Sequence, residues 1–186
     1  GSEELVDRHR PDHAIVAALA RLHHERIAHS TATPARWLVM THGIFGAGSN
    51  WRGIARKLVD RRREWGVVLV DLRLHGRSDA GEPPHTVAAC AEDLAALIRE
   101  LGDVSALAGH SFGGKTALAT RSLVTLAQTW VLDASPGARP EAIDDPDNSV
   151  VRVLDMMARM PASWPSRDAF VAGVVADGHS TALAQW

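Results

Sequence analysis

The sequence predicts an α/β fold in which a mostly parallel sheet is flanked by helices. Short apolar runs recur along the chain, each is followed by a polar or glycine-rich loop, and a helical segment separates one run from the next. Strands that alternate with helices pair in parallel through right-handed crossovers, and ligands bind such sheets at the carboxyl ends of the strands. We therefore expect the functional loops to gather at that end.

The strands are predicted from continuous apolar runs, which are typical of strands buried on both faces. A partly exposed strand is predicted within residues 21–28, and buried strands over 37–41, 66–72, 104–108 and 129–134. Apolar residues at helical spacing predict helices over 51–63, 86–101, 113–126, 150–160 and 167–176, and residues 181–186 begin another. In the first helix, Ile54, Leu58 and Val59 are expected to share the buried side.

This order of elements divides the chain into three parts. Residues 1–36 form an N-terminal extension that includes the first strand, and residues 37–136 form the α/β core. Residues 137–186, in which prolines interrupt an acidic loop before the last helices, form a helical cap or lid segment.

Composition excludes several classes of protein. Twenty basic and 22 acidic side chains give a net charge of −2, so we expect no nucleic-acid partner. The single cysteine, Cys90, excludes an internal disulfide and a cysteine-based zinc cluster, and we expect it to be a helix core residue. No apolar run approaches the ~20 residues of a membrane span. We expect no cofactor and no metal, and a cytoplasmic location, or an organelle matrix if a transit peptide was trimmed.

The strongest chemical signal is the segment 109–116, Gly-His-Ser-Phe-Gly-Gly-Lys-Thr, which lies between a predicted strand and a predicted helix. It matches Gly-x-Ser-x-Gly, the nucleophile elbow. Passing from strand to helix within one residue strains the backbone of Ser111, and small residues at 109 and 113 avoid clashes. The hydroxyl would project from the end of the sheet. The Phe112 N–H would lie at a helix N-terminus, where it can stabilise an oxyanion.

Two other interpretations of this segment stay open. It also fits Gly-x-x-x-x-Gly-Lys-Thr, the phosphate loop of nucleotide hydrolases, with Asp133 as the acid on the magnesium side. A glycine-rich turn without chemistry is the third interpretation. Nearby, residues 42–46 are shaped to present backbone N–H groups to a ligand, but they fail as a dinucleotide site because the third glycine position holds Trp51. Residues 71–78 are expected to form a hydrogen-bonded structural loop.

Taken in order, these segments resemble the α/β-hydrolase family over residues 37–137. The resemblance rests on the His-Gly loop at 42, the Asp-x-Arg-x-x-Gly-x-Ser loop at 71, the elbow, and Val-Leu-Asp-x-Ser-Pro at 131. The Gly-Gly-Lys ending of the elbow is similar to that of small bacterial esterases and their mitochondrial relatives, in which a helical cap follows the strand.

The resemblance implies a serine hydrolase that cleaves small-molecule carboxylic esters or thioesters through an acyl-serine intermediate. Ser111 would be the nucleophile, and the N–H groups of Ile44 and Phe112 the oxyanion hole. The family's order of Ser, then Asp or Glu, then His makes Asp133 the candidate acid and His179 the candidate base. The candidate substrate-binding residues, which shape the oxyanion loop or line an apolar acyl pocket, are His42, Phe45, Met156, Met157 and Trp164.

The candidate base conflicts with the family pattern. The terminal Gly-His loop of the family normally follows two further strands, and none is predicted before Trp186. We therefore expect an incomplete α/β hydrolase, whose base and remaining strands lie on a second chain or segment. His110 is expected to pack against the core, and His75 and His85 to be surface loop residues. The alternative function is a non-catalytic binding protein of the same fold.

Overall fold

The computed structural model describes residues 18–137, 145 and 148–185; most of the predicted N-terminal extension and much of the acidic loop lie outside these residues. The strands are β1 (His24–Ile27), β2 (Arg36–Thr41), β3 (Trp65–Val70), β4 (Val104–His110) and β5 (Gln128–Leu132). The helices are α1 (Arg52–Arg61), α2 (Val87–Leu101), α3 (Phe112–Thr120), α4 (Ser149–Arg159), α5 (Arg167–Ala176) and α6 (Thr181–Gln185). A short 3₁₀ helix, Gly48–Trp51, precedes α1.

The five strands form one sheet in the order β1-β3-β2-β4-β5. All neighbouring strands are parallel except β1, which runs antiparallel to β3. Thr41 of β2 is opposite Gly109 of β4, and His110 is opposite Leu132 of β5. The loops after these three strands therefore leave the sheet at the same end. The predicted α/β architecture with a mostly parallel sheet is confirmed.

The core lies on both faces of the sheet, because successive side chains of the central strands are buried on opposite faces. In β3, Val68 and Val70 pack with Leu94 of α2 on one face. Val67 and Leu69 pack on the other face, in the cluster that contains the buried side of α1. Continuous apolar runs such as that of β3 are what a parallel sheet covered by helices requires.

A buried ion pair ties the loop after β3 to α2. The Nε and Nη2 groups of Arg73 donate to the two carboxylate oxygens of Asp93 at 2.6 and 2.9 Å. Asp93 also accepts a hydrogen bond from the Ala20 amide at 2.8 Å. Both charged side chains are at most 2% exposed, and the hydrogen bond to Asp93 raises the pKa of Arg73. The pair therefore holds together three segments that are far apart in sequence.

The sheet face against which α1 packs contains an apolar groove. A groove of about 500 Å³ runs across β2, β4 and β5, and its apolar lining includes Leu38, Ala108, Trp130 and Leu132. Trp130 on the edge strand β5 is 55% exposed. None of the residues that line the groove belongs to the segments 42–46 or 109–116. The groove is therefore not the site that the motifs predict.

Three local predictions were wrong. The helix predicted over 113–126 ends at Thr120, because the amides of Ser122 and Leu123 bond to carbonyls three residues back and tighten the chain into a turn. Strand β4 continues to His110 instead of ending at residue 108. Ile54 is 52% exposed, because Ala55 and Val59, one turn apart, form the buried side of α1.

The chain divides into two compact units, residues 1–136 and residues 137–186. The described part of the second unit contains α4, α5 and α6. The side chain of Asn148 caps α4, and that of Ser166 caps α5. Cys90 of the first unit is buried in α2 as predicted, and burial raises the pKa of its thiol to about 11. No helix within the described ranges has both the length and the apolar character needed to cross a bilayer.

Candidate active site

Ser111 joins the last residue of β4 to the first residue of α3. Its backbone has φ 52° and ψ −116°, a conformation that residues other than glycine rarely adopt. The Ser111 amide donates to the Leu132 carbonyl at 2.9 Å, and the Ser111 carbonyl accepts from Gly114 at 2.9 Å. The main chain is thus held between β5 and α3. Among the described residues no hydrogen bond involves the Ser111 hydroxyl.

The junction is packed so closely that a side chain at Gly109 or Gly113 would clash with main-chain atoms. A Cβ atom on Gly109 would lie 2.0 Å from the carbonyl oxygen of Gly113. A Cβ on Gly113 would lie 2.5 Å from the carbonyl oxygen of His42, to which the Gly113 amide donates at 3.1 Å. Strand β4, the start of α3 and the loop after β2 therefore meet through main-chain atoms.

The loop after β2 turns tightly against Ser111. The Gly46 amide donates to the Gly43 carbonyl at 2.9 Å, which closes a turn over residues 43–46 that contains Ile44 and Phe45. A Cβ on Gly43 would lie 3.4 Å from the Cβ of Ser111. We call residues 43–46 the amide turn. It places the predicted oxyanion donor Ile44 next to the residue that abuts the serine.

His42 holds the amide turn from inside the protein. Its ring is buried, Nδ1 donates to the Gly43 carbonyl at 2.7 Å, and Nε2 accepts from the Leu72 amide at 3.1 Å. A carbonyl can only accept and an amide can only donate, so this arrangement requires the neutral ring with its proton on Nδ1. Burial lowers the pKa of His42, which favours the same neutral form.

His75 lies in a loop, as predicted, and is half-buried beside the amide turn. Its ring centroid lies 4.9 Å from that of His42 and 6.4 Å from that of Phe112, on which it stacks. Its Nδ1 is 2.8 Å from the Arg73 carbonyl, and its Nε2 forms a short contact with the Ile44 carbonyl.

The loop 71–78 brings His75 to this position. Asp71 accepts hydrogen bonds from the Gly48 amide at 2.7 Å and from the Arg77 amide at 2.9 Å. Leu74 and Gly76 both have positive φ, and a Cβ on Gly76 would lie 2.1 Å from the Asp71 carboxylate. The expected hydrogen-bonded loop is confirmed. The glycine five residues after Asp71 is the sequence signal that the loop folds back on itself.

Asp133 follows β5 and also has positive φ, at 51°. Its carboxylate is 90% exposed and lies 3.6 Å from Nε2 of His110. The His110 side chain is 34% exposed, with its ring edge-on to Trp51 at 6.3 Å. His110 was expected to pack in the core, but it is the last residue of β4, where the sheet ends and its ring reaches the surface.

The remaining predicted residues belong to the second unit and are described within it. The Nε2 atom of His179 is 3.8 Å from a carboxylate oxygen of Asp177, which also pairs with Arg159 at 3.0 Å. In α4, Met156 is buried and Met157 is 51% exposed. Trp164 packs edge-on against Phe170 at 5.9 Å. Within the first unit, the amide turn that contains Ile44 and Phe45 lies against Ser111, and Asp133 directly follows Leu132, whose carbonyl accepts from the Ser111 amide.

Known proteins with similar sequences and structures include several esterases. The mouse (Mus musculus) sn-1-specific diacylglycerol lipase ABHD11 is 34% identical over 132 residues, which cover 68% of this chain and 42% of that protein. Esterase YbfF of Escherichia coli is 35% identical over 89 residues, 47% of this chain and 34% of the relative. A solved marine microorganism esterase superposes with a TM-score of 0.75 and 25% identity over 91% of this chain and 62% of that chain.

The chain thus spans less than half the length of these two curated relatives. The sequence profile described as the alpha/beta hydrolase family matches residues 38–186, most of the chain. The match includes most of β2, the strands β3 to β5, the amide turn and the strand–helix junction at Ser111, and it disfavours the phosphate-loop interpretation. This protein is a member of the alpha/beta hydrolase family.

Proposed function

We propose that Ser111 is the nucleophile of an esterase that cleaves small-molecule carboxylic esters through an acyl-serine intermediate. The observation that carries the proposal is the positive φ of Ser111 at the junction of β4 and α3, with the amide turn directly against it. Strained backbone persists where the surrounding structure enforces it, and it is concentrated at functional sites. The relatives named as a lipase and as esterases support ester hydrolysis as the reaction.

The oxyanion hole in this proposal consists of the backbone N–H groups of Phe112 and Ile44. Phe112 is the first residue of α3, where amides have no partner within the helix and the helix dipole favours negative charge. Among the described residues neither amide donates to a backbone carbonyl. Two such donors can stabilise the charge that develops on the carbonyl oxygen of an ester under attack.

The reaction then follows the acyl-transfer scheme. The Ser111 oxygen bonds to the ester carbon while its proton passes to a base, and the carbonyl oxygen becomes an oxyanion held by the two amides. Collapse of this intermediate breaks the bond to the alcohol, which leaves with the proton. Water, deprotonated by the same base, attacks the acyl-serine and releases the acid.

We assign the acid to Asp133, at the end of the strand beside β4, where its carboxylate can orient a protonated imidazole. The base is His179 or a histidine supplied by a further segment or chain. His42 and Phe45 on the amide-turn side, and Met156, Met157 and Trp164 in the second unit, are the proposed substrate-binding residues. A thioester could react in the same way, because its carbonyl is attacked by the same oxygen.

Labelling with a fluorophosphonate tests the proposal. We expect one adduct per folded chain, located on Ser111 by peptide mass spectrometry and lost in Ser111→Ala. Ser122→Ala is the matched control, because this exposed serine lies just after α3 and donates only to the Ala119 carbonyl. A folded, full-length preparation that forms no adduct, or an adduct that persists in Ser111→Ala, would contradict the assignment.

A non-catalytic binding protein is the second candidate. It is favoured by the finding that no histidine within the described residues forms a hydrogen bond with the Ser111 hydroxyl. Without a base a serine stays protonated and is a weak nucleophile. Saturable binding of a short-chain ester without Ser111-dependent labelling or hydrolysis would support this candidate.

A further inference from the structure

Two consecutive peptide groups of the amide turn are each held by a histidine ring. The Gly43 carbonyl accepts from Nδ1 of His42 at 2.7 Å, and the Ile44 carbonyl contacts Nε2 of His75. The two rings lie side by side, with centroids 4.9 Å apart and planes tilted by 54°. They come from different loops, one after β2 and one after β3.

Holding a carbonyl also sets the direction of the next amide. In a trans peptide, the C=O of one residue and the N–H of the following residue point in opposite directions within one plane. The bond from His42 therefore orients the N–H of Ile44, and the contact from His75 orients the N–H of Phe45. In the described part of the chain neither N–H donates to a backbone carbonyl. Each is available to a bound oxygen.

The ring of His75 faces two acceptors. Its Nδ1 lies 2.8 Å from the Arg73 carbonyl while its Nε2 faces the Ile44 carbonyl. A neutral imidazole has one N–H and can donate to only one of these oxygens. The neighbouring His42 is held in its neutral form by its own contacts. The carboxylate of Asp71, in the same loop as His75, accepts hydrogen bonds from the backbone amides of Gly48 and Arg77.

We propose that His75 is a positioning residue for the oxyanion site. By donating to the Ile44 carbonyl it fixes the peptide plane on the C-terminal side of Ile44, while His42 fixes the plane that carries the Ile44 N–H. The residue that supplies the proposed oxyanion donor is thus held on both sides, and the stacking of His75 on Phe112 braces the other side of the site. It acts through the main chain and has no contact with the reacting atoms. The inference rests on the proposed function, because it needs Ser111 and its oxyanion donors to be the working site.

Two substitutions separate the two bonds of the ring. The side-chain amide of His75→Asn can replace Nδ1 and keep the bond to Arg73, which holds only the loop. The longer amide of His75→Gln can replace Nε2 and keep the bond to Ile44. His75→Phe keeps the stacked ring and loses both bonds. His85→Phe is the control, since this histidine is exposed later in the same loop region.

The measurement is the rate of fluorophosphonate labelling of the full chain as a function of probe concentration. We expect His75→Phe and His75→Asn to lower the saturating rate by about tenfold to 100-fold, because an imperfectly placed oxyanion donor has lost much of its effect. The half-saturating concentration should change less than about twofold, as in an interaction that is made only in the transition state. His75→Gln and His85→Phe should label at nearly the wild-type rate.

The outcomes distinguish the two proposals. If the wild type labels on Ser111 but His75→Asn labels as fast as His75→Gln, the positioning role is wrong and the proposed function stands. If the wild type does not label, both are wrong. Should His75→Phe fail to fold, the comparison of His75→Asn with His75→Gln still decides, provided that circular dichroism shows both to be native. A rise in half-saturating concentration with an unchanged saturating rate would also overturn the role.

Discussion

Replacing Ser111 by glycine should stabilise the protein while removing its reactive group. The residue has φ 52° and ψ −116°, which glycine adopts without a steric cost, and its hydroxyl has no hydrogen bond among the described residues. Backbone strain of this kind costs about 1–3 kcal/mol. The greater chain entropy of glycine offsets about 0.5–1 kcal/mol of the gain. We therefore expect Ser111→Gly to be about 1 kcal/mol more stable than Ser111→Ala, which keeps the strain.

Urea denaturation followed by tryptophan fluorescence measures this difference. With a slope of about 2 kcal/mol per molar urea, the unfolding midpoint of Ser111→Gly should lie about 0.5 M above that of Ser111→Ala. The same pair of substitutions at Ser122, where φ is not positive, should give the opposite order. Equal midpoints for the two Ser111 variants, or a lower one for glycine, would refute the strain that we attribute to this residue.

Three further predictions follow from the packing, and the same denaturation measures each of them. Gly109→Ala should destabilise the fold by about 3 kcal/mol, because the new methyl group meets main-chain atoms. Gly53→Ala is its control: this helical position has open space around it, so alanine should raise the free energy of unfolding by about 0.5–1 kcal/mol. Thr129→Val should add about 1 kcal/mol, since the buried Thr129 hydroxyl has no hydrogen-bond partner among the residues that the structure describes. Asp93→Asn should cost about 3–5 kcal/mol by leaving the buried Arg73 without its counter-charge, and Arg73→Met in the same protein should recover part of the loss.

The sequence was sufficient to predict the sheet because its signal is local. A run such as that of β3 is apolar at every position, and only a strand covered on both faces needs that pattern. The close packing at Gly109 and Gly113, on either side of Ser111, could also be predicted, since a close contact between strand and helix leaves room only for glycine. The α/β core and the family could therefore be predicted before any contact was known.

What the sequence could not show depends on long-range contacts. The position of His75 follows from positive φ values at Leu74 and Gly76 and from the hydrogen bonds of Asp71, none of which has a periodic signature. The end of α3 is set by turn hydrogen bonds beyond Thr120. The roles of Asp133 and His179, and the cytoplasmic location, remain predictions.

The contacts between β4, α3 and the His42 carbonyl are made by main-chain atoms, and this has a consequence for how such a protein can change. These contacts position the serine without any side chain of a loop that would face a substrate. Residues that would touch the rest of a substrate can therefore be exchanged without shifting the atom that attacks it. New specificities can arise on this scaffold by changes in its loops, while the reactive geometry is inherited intact.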